Sequence, residues 1–160
     1  MRLLLLIFIL LIFQQGFSQR WVVGSGLTYC SYVDSPGINL SVTYRLAGNL
    51  YIGPDFSALL TRDLNEAGKV IRRKEVEYNL NFHHLFDVNE SVGLYPLVGM
   101  NVSKVTNHPD AEDPRHRWVT GLNAGGGLEL TMPWARLFVE SKYVFHFDKV
   151  DLTAGFLFDL

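Results

Sequence analysis

Beyond residue 20, apolar and polar residues alternate with a period of two along most of the chain. The clearest run sets Ile38, Leu40, Val42, Tyr44 and Leu46 against Asn39, Ser41, Thr43 and Arg45. A second sets Val76, Tyr78, Leu80 and Phe82 against Glu75, Glu77, Asn79, Asn81 and His83, and a third places Leu152, Ala154, Phe156, Phe158 and Leu160 on one face at the C-terminus. Successive side chains of a strand point to opposite faces, so each run predicts a strand with one apolar and one polar side. Weaker segments of the same character lie at Trp21 to Tyr32, Leu50 to Leu60, Val92 to Ser103, Trp118 to Leu130 and Arg136 to His146, which brings the expected number of strands to eight. Pro54 and Pro96 fall inside two of these segments and, lacking a backbone donor, call for a bulge or a strand end. Gly125, Gly126 and Gly127 weaken strand propensity in a third, but small residues relieve crowding inside a narrow barrel.

The connections alternate in length. Ala47-Gly48-Asn49, Asp87 to Glu90 and Met132-Pro133-Trp134 are short turns, whereas Thr61 to Arg73 and Lys104 to Arg117 are long and polar and are expected as loops. Both long connections follow odd-numbered strands, so they share one end of the sheet; short turns at one end and long loops at the other is the asymmetry of membrane-spanning barrels.

Period two alone does not distinguish a membrane barrel from a soluble one, and the polar face decides between them. A wet outer face carries long charged side chains on every strand. Here that face is mostly Asn, Ser, Thr and Gly, with charge concentrated at Arg45, Asp55, Glu75, Glu77, Glu129, Arg136, Glu140 and Lys142. This composition fits a narrow lumen with a few paired charges. Because a buried carboxylate without a partner costs several kcal/mol, contacts of Arg45, Arg136 and Lys142 with these acids are expected. Trp21, Tyr32, Tyr44, Tyr51, Tyr78, Phe86, Trp118, Trp134, Tyr143 and Phe145 stand mostly near strand ends, where amphipathic rings favour the headgroup level of a bilayer.

Composition narrows the class further. With 160 residues, 48% of them hydrophobic and 19% charged, the chain is one folded domain, and 14 glycines with 13% aromatics favour strands and tight turns. A formal charge of −2 gives no reason to expect a nucleic-acid partner. Cys30 is the only cysteine, which excludes an internal disulfide and predicts a small packed thiol. Arg2, the apolar run Leu3 to Phe13 and the small residues Gly16 and Ser18 read as a signal peptide over residues 1–18, leaving 19–160 as the barrel domain. As a helix the apolar run would span roughly 17 Å, short of a hydrocarbon core of about 30 Å, so it targets rather than anchors. A membrane location for the rest then requires a closed sheet, which alone among strand structures satisfies every backbone group in lipid.

Signal peptide, alternating strands and the final Phe156-Leu157-Phe158-Asp159-Leu160 resemble the bacterial outer-membrane β-barrel superfamily, the small "porin family" or outer membrane protein beta-barrel domain. The resemblance covers the whole mature chain. It implies an eight-stranded antiparallel up-and-down transmembrane barrel of a Gram-negative cell envelope, with Phe156, Phe158 and Leu160 read by the insertion machinery; the final Leu160 stands where phenylalanine is commoner. In that setting the short turns and both termini face the periplasm and the long loops face outward. No large pore is expected, since eight strands enclose a space that side chains fill, and a monomer is expected.

Candidate chemistry is sparse. His83 and His84 are adjacent and in a strand diverge to opposite faces. His108 and His116 flank Asp110, Glu112 and Asp113 in a Pro-broken loop that reads as solvated surface, so no metal and no cofactor are expected. Ser141 beside Glu140, and His146 near Asp148, lack the spacing of a nucleophile with its base, and Ser25 lacks the setting of a nucleophile elbow; no catalytic residue is assigned. Arg62, Lys69, Arg72, Arg73 and Lys74 gather positive charge at the outer rim, where they either contact lipopolysaccharide phosphates or form a solvated loop edge. A structural or surface-interaction protein is therefore expected. The alternatives are a lipid-modifying enzyme acting by acyl transfer or deacylation, and a secreted soluble ligand-binding barrel.

Overall fold

The computed structural model describes the backbone of residues 20–66, 69–109 and 114–160, with side chains over the same ranges except 64–71 and 109. The expected signal peptide and the acids Asp110, Glu112 and Asp113 lie outside the described residues. The strands are β1 (Trp21–Cys30), β2 (Ser35–Ala47), β3 (Leu50–Leu59), β4 (Arg62–Glu66), β5 (Lys69–His84), β6 (Phe86–Asp87), β7 (Val92–Pro109), β8 (Arg115–Thr131), β9 (Arg136–Val144) and β10 (Lys149–Asp159). Without the short β4 and β6, each strand pairs antiparallel with the next, and β10 pairs back onto β1 from Val22↔Asp159 to Cys30↔Asp151. The result is a closed eight-stranded up-and-down barrel.

The two long connections differ from expectation. β4 pairs with the start of β5 from Arg62↔Arg73 to Glu66↔Lys69, and β5 pairs with β7 as far as Ile71↔Pro109, while β7 and β8 stay paired to Asn107↔Arg115. The barrel wall thus rises on one side as projecting hairpins where loops were expected. Their polar composition hid them: with neither face in lipid, no apolar alternation is needed to hold the strands. The prolines also depart from expectation. The β2–β3 ladder omits pairs for Val42 and Thr43 opposite Pro54 and Gly53, then resumes in the same register at Tyr44↔Ile52, and Pro96 pairs with Gly126 in an unbroken ladder. The one register slip between β2 and β3 lies at Arg45/Ala47, next to the turn where Gly48 adopts φ 52°.

Polarity is inverted relative to a soluble protein. Among the described residues, buried polar and charged side chains outnumber buried apolar ones: Lys142 is 2% exposed and Lys149 0%, against 71% for Leu27 and 62% for Leu122. An apolar band of that extent cannot face water in a monomer. Two aromatic belts border it. At the end where β1 begins and β10 finishes, Trp21 lies 4.8 Å from Tyr44 and Trp134 lies 5.4 Å from Phe156; at the far end, Tyr78 stacks on Trp118 at 6.3 Å and Tyr143 meets Phe145 edge-on at 5.0 Å.

Two turns at the far end share a device. Asp34 and Asp148 both adopt φ 49°, and each accepts a hydrogen bond from a tyrosine five residues earlier, Tyr29 and Tyr143. Aspartate is among the few residues that enter the left-handed region readily, so the pattern Tyr-x-x-x-x-Asp closes both the β1–β2 and β9–β10 connections.

Candidate functional site

The inward positions of the eight walls form three stacked polar groups. In the middle, Asp55 of β3 accepts hydrogen bonds from Asn39 (3.4 Å), Asn79 (2.8 Å), Asn81 and Lys142 Nζ (2.9 Å). Lys142 also lies 3.4 Å from Glu140, and Asn79 Oδ1 accepts from Asn101 (2.8 Å) and Asn123 (3.1 Å). These asparagines face inward because they hold the alternate positions to Tyr78, Leu80, Met100 and Leu122, which face outward. Every wall except β1 and β10 thus contributes to one amide and carboxylate network, and the alternate side chains hold the barrel from both faces.

At the terminal end, Arg136 donates to Glu129 (2.5 Å) and to Asp159 (2.7 Å). His83 stacks on Tyr51 (5.2 Å) and meets Tyr95 at a tilt (5.1 Å), and the Tyr95 hydroxyl donates to Glu140 (3.0 Å). A cavity of about 40 Å³ lies among Tyr51, Asp55, His83, Tyr95, Arg136 and Glu140, room for ordered water and little more. At the far end, Lys149 Nζ donates to Glu75 (2.7 Å) and Glu77, with the Phe147 ring centroid 4.9 Å away.

The geometry brings together Asp55, Glu140 and Lys142, and separately Glu129 and Arg136; Glu75 and Glu77 share a cation absent from the expected set. Arg45 corrects the expectation of a contact with a lumen acid: its guanidinium donates to Gly48 O (2.5 Å) and Asn49 Oδ1 (3.2 Å) and lies 5.8 Å from the Tyr51 centroid. It stands at the register slip beside the β2–β3 turn, where the turn's own acceptors are nearest. Lys149 and Asp151 lie outside the expected set because the apolar alternation of the last strand starts at Leu152. Counting back in twos from inward Thr153 reaches both, and that parity was the available signal.

Phe156 and Phe158 point outward along β10, and Leu160 N donates to Trp21 O (2.9 Å) at the seam. The rim cations divide. Arg62 pairs with Asp34, and Arg72 with Asp63 at 3.3 Å; Arg73 Nε donates to Asn107 (3.0 Å), and its guanidinium lies 5.5 Å from the Tyr32 ring. Lys74 is exposed on the outward face, and the side chain of Lys69 lies outside the described residues. The Asp34 carboxyl is held below the usual carboxylate range, by the Tyr29 hydroxyl first and then by Arg62. His83 and His84 occupy opposite faces, and His116 Nδ1 lies 3.1 Å from Thr106 Oγ1. Ser141 faces outward while Glu140 faces the lumen, so the structure does not assemble that pair.

A closed sheet with an apolar exterior, two aromatic belts and a polar filled interior defines a lipid-embedded β-barrel. The fold is that of the small bacterial outer-membrane β-barrels, and a soluble ligand-binding barrel, with its apolar face inward, is excluded. Among solved structures, a major outer membrane protein of Thermus thermophilus superposes with TM-score 0.67 at 14% identity, over 88% of this chain and 99% of that one. Neisserial surface protein A gives 0.64 at 14%, over 88% and 97%. The attachment invasion locus protein Ail of Yersinia pestis, solved with the heparin analogue sucrose octasulfate, gives 0.58 at 21%, over 87% and 97%. No protein-family model and no curated protein matches the chain.

Proposed function

We propose that the chain is exported by a signal peptide at residues 1–18 and acts as a monomeric barrel of the Gram-negative outer membrane with a structural or surface-interaction role. Its far-end hairpins meet anionic sugar or lipid phosphate, lipopolysaccharide being the nearest source. The observation that carries this reading is the placement on the outward face of Lys104 level with the far aromatic belt and of Lys74 two residues further out. Lys104 pairs across the sheet with both Val76 and Trp118, and its Nζ lies 5.6 Å over the Trp118 ring. A lysine stem lying along apolar surface with its ammonium at headgroup height is the arrangement that meets lipid phosphate. Arg62 and Arg72 carry acid partners and are secondary to these two lysines. The sulfated ligand bound by Ail is consistent with polyanion contact on this fold. The outward row Phe156, Phe158 and Leu160 serves insertion.

The filled lumen supports a role without a large pore, and the divergence of Ser141 from Glu140 supports a role without acyl transfer. The test is binding of the detergent-folded protein to vesicles with and without lipopolysaccharide at several salt concentrations. Salt-sensitive preference for lipopolysaccharide, weakened at least fivefold in a Lys74→Glu/Lys104→Glu variant, is expected. Equal binding to both vesicle types, or no effect of the double variant, would remove the proposal.

A further inference from the structure

The far end of the lumen holds a group of side chains that the surface role does not use. Cys30 ends β1, and Asp151 on β10 is its direct cross-strand partner. Glu77 reaches in from β5 on the opposite wall. The Cys30 sulfur and a carboxylate oxygen from each of Glu77 and Asp151 lie within 4.8 Å of one another. All three residues are buried, with exposures of 0%, 2% and 3%.

Asp151 makes this more than a cluster of acids. Neither of its carboxylate oxygens has a hydrogen-bond partner, although buried carboxylates are normally satisfied. The neighbouring inward hydroxyls are committed elsewhere, Thr153 Oγ1 to Thr28 Oγ1 at 3.0 Å and Thr28 Oγ1 to Leu152 O at 3.3 Å. Lys149 is engaged by Glu75 and Glu77. Three acidic side chains, Glu75, Glu77 and Asp151, stand with the single ammonium of Lys149 in this part of the lumen, and that ammonium is already shared by two of them.

We propose that Cys30, Glu77 and Asp151 bind one divalent cation of the zinc and cadmium class. A thiolate with two carboxylate oxygens suits a borderline ion, whereas magnesium and calcium take all-oxygen sets. Binding forms a sulfur–metal bond as the Cys30 thiol releases its proton to solvent, and any proton on the two carboxyl groups leaves with it as their oxygens take up the metal. The ion supplies the partner that the Asp151 oxygens lack and ties the seam between the first and last strands to the opposite wall. Val33 and Leu59 pack over Cys30, so the ion enters as the barrel closes.

The test is to fold the protein in detergent with Cd²⁺, remove unbound ion, and record metal content and the ultraviolet sulfur-to-cadmium charge-transfer band. Cys30 is the only thiol in the chain, so the band reports this site alone. The expected result is one Cd²⁺ per barrel with the band present, the band absent in Cys30→Ser, and affinity at least tenfold weaker in Asp151→Asn, which replaces a buried carboxyl lacking a hydrogen-bond partner by a neutral side chain of the same shape and should fold. An absent band, or undiminished affinity in Asp151→Asn, as for a lone thiol scavenging the ion, would overturn the proposal.

Discussion

Lys142 of β9 crosses the lumen to Asp55 of β3, Nζ to Oδ2 at 2.9 Å, and this pair joins two walls that share no backbone hydrogen bond. Removing one member of a buried pair strands the other, which costs about 3–5 kcal/mol. Lys142→Met is therefore expected to lower stability by about that amount in a urea titration of the vesicle-folded barrel followed by tryptophan fluorescence. Adding Asp55→Leu should recover part of the loss. An unchanged midpoint in the single variant would show that the pair contributes little.

Tyr95, Gly127 and Glu140 are cross-strand neighbours on β7, β8 and β9, and the Tyr95 ring lies across Gly127 to reach Glu140 at 3.0 Å. A Cβ at position 127 would overlap the tyrosine Cζ and hydroxyl oxygen. Gly127→Ala should cost about 1–3 kcal/mol by overpacking. It should also release Tyr95, visible as a shift of its ring resonances, whereas Gly48→Ala, with open space around its Cβ position, should leave those resonances alone.

The outward position of Leu40 and Leu122 makes charge there expensive. Arginine on the lipid face of a barrel costs about 2–4 kcal/mol near the bilayer midplane. Leu40→Arg and Leu122→Arg are each expected to fall in that range for vesicle-folded protein. Costs near zero at both sites would contradict the assignment of the apolar face to lipid.

Asp34 at the β1–β2 turn yields a pH prediction. Its carboxyl is lowered in the folded protein by Tyr29 and Arg62, so the stabilisation it supplies is complete above the unfolded value of about 3.9 and is lost as pH falls through the lower folded value. Amide exchange around the turn should therefore stay slow through mild acid and accelerate only in strong acid. Asp34→Asn, which keeps a side chain tolerant of the left-handed backbone, should show fast exchange at neutral pH and lose the acid step.

The sequence alone determined the strands that touch lipid, because a face that must be apolar at every second position writes its period into residues such as Ile38, Leu40 and Val42. It also determined the strand count and the short turns, and it marks Asp55, Glu75 and Lys142 as charges that interrupt an otherwise small and neutral face. Only the tertiary structure decided how those charges meet. Closure places β3 opposite β9 and β5 opposite β10, so Asp55 finds Lys142 and Glu77 finds Lys149 at separations of 87 and 72 residues that no local pattern encodes. The hairpins above the bilayer were likewise invisible, because a strand with both faces in water has no reason to alternate. Arg45 was misassigned for a related reason: parity gives the face a side chain occupies, whereas its height in the barrel, set by stagger and by the slip beside the turn, gives the partner within reach.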